Sequence, residues 1–244
     1  MLVAAALAAS AGFVALGLWQ VERRVWKLEL IARVERRAHA DPVPAPGPDD
    51  WPRFSAAGDE YRRVRIAGVY LHERETVVQA STRLGSGYWV LTPMRTAGDY
   101  VVLVNRGFVP AERRARASRS AAEPRGEVTV TGLLRPSEPG GAFLRRNDPS
   151  AGRWYSRDVQ AIAQARGLAR AAPFFVDAEA PAGPGVEGTD TEPTGGLMAL
   201  EFRNDHLAYA LTWFALAAMA AAAAVVVLVS QRRQRREFAP GADR

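Results

Sequence analysis

The chain contains no cysteine, which excludes disulfides, thiolate metal sites and cysteine nucleophiles. Lys27 is its single lysine, so the net charge of +6 is carried almost wholly by arginine. Histidine is scarce at 3 residues (His39, His72 and His206), which leaves few candidates for imidazole chemistry. Catalytic spacings are missing too. There is no HExxH, no nucleophile elbow, no phosphate-cradling loop and no Gly-rich dinucleotide fingerprint after a strand. The basic residues are scattered through strand-like segments and clustered beside apolar runs, a topology pattern rather than a nucleic-acid footprint.

Charge is also missing from the two ends, in long runs. Met1–Val21 bears no ionised side chain and is rich in Ala, Leu, Val and Gly, long enough to cross a bilayer. A secretory signal cleaved near Ala9-Ser10-Ala11 is the rival reading. It is disfavoured because no basic segment precedes the run and cleavage there leaves a short apolar core. An uncleaved anchor is expected. Leu18, Val21, Val25 and Leu28 recur at helical spacing, so the helix is expected to continue beyond the bilayer, with Trp19 and Trp26 at the interface and Arg23, Arg24 and Lys27 near headgroups. The second uncharged run, Leu207–Val229, is about 35 Å long as a helix. Arg232, Arg233, Arg235 and Arg236 follow it and predict a cytoplasmic C-terminus, hence a cytoplasmic N-terminus and an external middle. Arg23, Arg24 and Lys27 oppose this orientation, but Glu22 and Glu29 accompany them, whereas nothing dilutes the C-terminal cluster.

The predicted organisation is a transmembrane helix over 1–21, a juxtamembrane helix over 22–38 and a Pro-rich linker over 39–50. An extracytoplasmic domain over 51–203, a second transmembrane helix over 204–230 and a basic cytoplasmic tail over 231–244 follow. The linker is expected to be stiff and free of secondary structure. The middle domain reads as mainly β, an antiparallel sheet or small barrel with one helix, between the two transmembrane helices. Strands are expected over Arg63–Leu71, Glu75–Ala80, Tyr88–Leu91, Tyr100–Val104, Glu127–Leu134 and Phe174–Val176, with a turn at Gly85-Ser-Gly87. The helix is expected over Ser156–Leu168 with Ser156 as N-cap, and Pro181–Gly196 as a mobile loop.

Asp148 and Asp158 are the acids a catalytic reading would choose. Asp148-Pro149 and the start of the helix explain them better as turn and cap residues. His39 and His72 read as solvated. His206 differs, because Asn204-Asp205-His206 leads straight into the second apolar run, where it shares a helical face with Tyr209, Ala210 and Trp213. The residues alone leave it either an interfacial cap or a ligand for something in the membrane.

Taken together, several blocks resemble one family. Gly17-Leu-Trp19-Gln20, Arg23 and Trp26-Lys27 form the first. Gly87-Tyr88-Trp-Val-Leu-Thr-Pro93 and Val102-Leu-Val-Asn105-Arg106-Gly107-Phe108-Val-Pro110 are central. Asn147-Asp148-Pro149, Trp154-Tyr155, Arg157-Asp158 and Pro173-Phe-Phe-Val-Asp177 come later, then Asn204, His206 and Tyr209-Ala-Leu-Thr-Trp213-Phe214. In order and spacing the chain resembles the surfeit locus protein 1 family of cytochrome c oxidase assembly factors, with Phe108 where the family more usually has Trp.

The resemblance implies a non-enzymatic chaperone in the cell inner membrane, embedded in the bilayer with its loop domain in the periplasm. It implies transient binding of haem a, help with its insertion into oxidase subunit I, and contact with haem a synthesis or assembly proteins. His206 becomes the expected metal ligand, and Trp213, Tyr209, Trp19, Gln20 and Arg203 the expected cofactor-binding set. Imidazole supplies an axial bond, aromatics pack on the macrocycle and arginines (Arg203 and Arg24 are near the right depth) pair with propionates. The alternative is a membrane-anchored scaffold that holds assembly partners without carrying haem.

Overall fold

In the computed structural model, alternation of apolar and polar residues is translated directly into strands. The structure describes residues 1–142, 144–180, 193–196 and 205–237, without the side chains of 122 and 235–237. Two units are distinct, Met1–Arg33 with Glu201–Arg244, and Val34–Leu200.

The Val34–Leu200 unit is built on seven strands: β1 (Val43–Pro44), β2 (Arg63–Tyr70), β3 (Thr76–Thr82), β4 (Gly85–Thr96), β5 (Val101–Pro110), β6 (Glu127–Pro136) and β7 (Ala171–Ala178). Their order is β1-β2-β6-β7-β5-β4-β3, and β2 also pairs with β4. That extra pairing closes β2, β6, β7, β5 and β4 into a five-stranded barrel, with β1 and β3 as outer additions. The predicted mainly β domain is therefore a small barrel. Gly68 and Thr96 are partners at the closure, and a Cβ on Gly68 would stand 2.3 Å from the Arg95 carbonyl oxygen. Only glycine lets the two backbones approach this closely.

β2 shows the expected period of two, with Val64, Ile66 and Tyr70 turned inward. β5 and β7 are instead buried almost throughout and run parallel to each other. Both faces are covered. Val102, Val104, Phe174 and Val176 fill the barrel, while Val101, Leu103 and Phe175 pack with Trp154, Val159 and Ile162 outside it. Continuous apolar runs such as Val101–Val104 and Phe174–Val176 are the sequence signature of this double burial.

Three local expectations change. The hairpin turn falls at Arg83–Leu84, because Thr82 pairs with Gly85 and Gly85–Gly87 already belong to β4. The linker contributes β1, which pairs in parallel with β2, and Ala45 N–H bonds to the Arg65 carbonyl at 3.0 Å. Proline is tolerated there because the strand lies at a sheet edge. The external helix spans Val159–Ala165, and its cap is Asp158, whose side chain accepts from Ala161 N–H. Ser156 is not the cap; its hydroxyl accepts from Gly141 N–H and Asn147 Nδ2. A short helix over Ala56–Asp59, capped by Ser55, completes the unit. Most of the predicted loop 181–196 lies outside the described residues; within it, Thr194 bridges to Phe108.

The other unit contains two long apolar helices, one belonging to Leu2–Ala38 and one spanning His206–Glu237. Both are long and apolar enough to cross a membrane. They pack antiparallel. Ser10 bonds to the Ala217 carbonyl at 2.9 Å, Phe13 stacks on Trp213 at 5.7 Å, and Gln20 reaches His206. Up to Gln20, the half-buried and buried positions on the first helix are Val3, Ala6, Ser10, Phe13, Gly17 and Gln20. On the second, Ala210, Ala217 and Ala224 are buried at seven-residue intervals. This alternation of three and four is a heptad seam. Small residues on it allow close approach, and most positions off it stay exposed.

Candidate functional site

The candidate site is the end of the helix pair where the second apolar helix begins. His206 is its first residue, and its imidazole is half-buried against the first helix. His206 Nδ1 lies 2.7 Å from Gln20 Oε1. A side-chain carbonyl oxygen only accepts, so Nδ1–H is the donor. In the neutral ring the lone pair is then on Nε2, which forms no hydrogen bond among the described residues.

The expected cofactor-binding residues separate into two groups. Gln20, His206 and Trp213 lie on the packed seam, with Trp213 stacked on Phe13 at an interplanar angle of 25°. Trp19 and Tyr209 flank it and are 51% and 58% exposed. Tyr209 thus leaves the face that His206, Ala210 and Trp213 share, because its position falls off the heptad row. Arg203 lies outside the described residues. Arg24 is one turn beyond Gln20 and half-buried, and Arg23 covers the Trp26 ring at 4.5 Å.

Among the described residues, no three His, Cys, Asp or Glu side chains cluster in a way that would hold a bare metal ion. The two acids weighed as bases are structural. Asp148 accepts from the Ser150 hydroxyl (2.6 Å), Ala151 N–H and Arg153, and these bonds hold its carboxyl down to about 2. Asp158 caps its helix and also accepts from Gly140 N–H. His39 is exposed, with Nδ1 2.9 Å from the Glu35 carbonyl. His72 is not solvated as expected. Its Nε2–H donates to the Pro124 carbonyl at 3.0 Å, and Nδ1 is buried without a partner among the described residues.

The blocks around Asn105, Arg157 and Asp177, quoted above only for the resemblance, converge on Asp177, to which the sequence assigned no role. It ends the apolar run of β7 and is buried. Asn105 Nδ2 donates to it at 2.7 Å, and Arg157 and Arg135 approach at 3.1 and 3.3 Å. Burial raises the pKa of its carboxyl, against the pull of the two guanidinium groups. Arg157 also grips Glu138, at 2.5 Å. Burial works against the ionised Glu138, but Arg157 outweighs it and the Glu138 pKa is lowered. An acid closing a strand otherwise buried on both faces was the available signal. A second hidden pair joins Arg119 to Glu75 at 2.7 Å, their side chains 2% and 5% exposed.

A family model described as the SURF1 family matches residues 7–218, a span that takes in most of the first helix, the barrel and the start of the second helix with His206. The chain belongs to the SURF1 family. Surfeit locus protein 1 of Mus musculus is 34% identical over 223 residues, covering 83% of this chain and 68% of that protein. Surfeit locus protein 1 of Homo sapiens is 34% identical over 224 residues, covering 83% and 69%. The SURF1-like protein of Monosiga brevicollis is 34% identical over 217 residues, covering 84% and 78%. Family membership and the two terminal apolar helices agree with a membrane protein.

Proposed function

We propose that this SURF1-family chain is an assembly factor for cytochrome c oxidase that binds haem a at the membrane through His206 and assists its insertion into subunit I. Family membership supports the assembly role. The observation that carries the haem reading is the imidazole at the head of an apolar helix, with Nδ1 engaged by Gln20 and Nε2 without a bond among the described residues. The donor chemistry fits. A porphyrin already holds its iron, so the chain would need to supply one ligating nitrogen, which His206 would provide, rather than a cluster of ligands. Exposed Tyr209 and Trp19, on either side of the seam, offer apolar surface suited to a macrocycle.

The chain's part is to bind and orient, not to catalyse, and a single protein ligand suits a carrier that must release. Transfer would involve subunit I and proteins that make or deliver haem a. The arginine cluster at the end of the second helix, past its uncharged run, supports a topology with both termini in the cytoplasm, the barrel in the periplasm and the helices in the inner membrane.

The test is purification from cells that make haem a, followed by an absorption spectrum. Wild type is expected to carry haem a, and His206→Ala to purify folded with little. Full occupancy in that variant removes His206 as the ligand. A haem-free wild type that co-purifies with subunit I would favour the scaffold reading.

A further inference from the structure

We propose that Gln20 is the positioning residue of His206, presenting Nε2 as the iron-binding nitrogen, rather than a haem contact. The inference rests on the haem reading above. Its geometric basis is the 2.7 Å bond from His206 Nδ1–H to Gln20 Oε1, made between helices that are distant in sequence and packed in one unit.

Both partners are held. Gln20 continues the first helix's seam (Ser10, Phe13, Gly17), each member of which meets the second helix. Gly17 lies so close to Phe214 that a Cβ there would come within 2.5 Å of its ring. The register of the pair therefore sets where the amide carbonyl meets the imidazole. A slip of one residue on either helix would remove the bond.

The chemistry gives the contact a role. Ligating histidines ordinarily donate their other N–H to an acceptor, which selects the tautomer, fixes the ring plane and raises donor strength. A carboxylate acceptor would strengthen the iron bond, and an aliphatic side chain would leave Nδ1–H without an acceptor. The neutral amide gives intermediate donor strength, which suits a site that must hold haem and then release it. Free histidine in water favours the Nε2–H tautomer, so an Nδ1–H ring at His206 would be a signature of Gln20.

The experiment uses the full chain in lipid nanodiscs, comparing wild type, Gln20→Leu, Gln20→Glu and His206→Ala. In the haem-free protein, nitrogen NMR of labelled histidine is expected to show His206 as Nδ1–H in wild type and Gln20→Glu, and shifted to Nε2–H in Gln20→Leu. With haem a added, Gln20→Leu is expected to bind roughly 10–100-fold more weakly. Gln20→Glu should bind ferric haem a more tightly and lower its reduction potential. An Nε2–H ring in haem-free wild type, or wild-type affinity and spectrum in both Gln20 variants, overturns the proposal. If Gln20→Leu separates the helices, Gln20→Glu decides, because it keeps the acceptor. Retention of haem by His206→Ala would refute the haem reading instead and leave the tautomer result standing.

Discussion

The Ser10 hydroxyl donates to the Ala217 carbonyl at 2.9 Å, a polar contact inside an otherwise apolar helix pair. Backbones come this close because the seam is made of small residues, Gly17 on one helix and Ala210, Ala217 and Ala224 on the other. In lipid, such packing and the occasional interhelical hydrogen bond replace the hydrophobic effect as the source of association.

The pairing is directly measurable, because the chain has no native cysteine to interfere. A Ser10→Cys, Ala217→Cys double variant is expected to form an intramolecular disulfide under mild oxidation in the membrane. Failure to cross-link, with both thiols accessible to reagent, would reject the antiparallel register.

Closure of the barrel depends on Gly68. Gly68→Ala would place a methyl against the Arg95 carbonyl, and backbone must move to admit it. A loss of about 1–3 kcal/mol is expected from overpacking of this kind. Denaturant midpoints followed by tryptophan fluorescence of the full chain would check it, and an unchanged midpoint would contradict the β2–β4 contact.

Arg119→Ala should be more damaging. It leaves Glu75 as a buried charge without its guanidinium, and truncating one partner of a buried pair costs about 3–5 kcal/mol. Replacing both residues with apolar side chains of similar volume should cost much less. Comparing the single and double variants in the same unfolding assay separates the pair's worth from the cost of the orphaned charge.

Tyr70 predicts an alkaline limit. Burial pushes its phenol up to about 12 from an ordinary value near 10, Arg106 opposing. A raised folded value means that its contribution is complete below about pH 10 and is lost as pH rises through about 12. Tyr70→Phe should flatten this loss. Stability curves of the two proteins that stayed parallel from pH 9 to about 12 would count against it.

Residues that report on themselves were legible in the sequence. Uncharged runs marked the helices, and a period of two marked β2. The runs at Val101–Val104 and Phe174–Val176 marked strands, though only the sheet order explains why both faces are buried. Ser156 was the wrong cap because Asp158 sits closer to the first helical N–H groups that need an acceptor. The role of Asp177 was not legible because its partners, Asn105, Arg135 and Arg157, come from distant segments. Those partners are neighbours only after β7 pairs with β5 on one side and β6 on the other.

By itself, then, the sequence determined which segments are apolar enough for a membrane, which alternate as strands, and which blocks tie the chain to its family. All of these depend on neighbours along the chain. It also singled out His206. The tertiary structure decided what that histidine faces, because a hydrogen bond between residues 20 and 206 exists only once two helices adopt one register. The same holds for the barrel's closure and the buried ion pairs, where distance along the chain carries no information about distance in space.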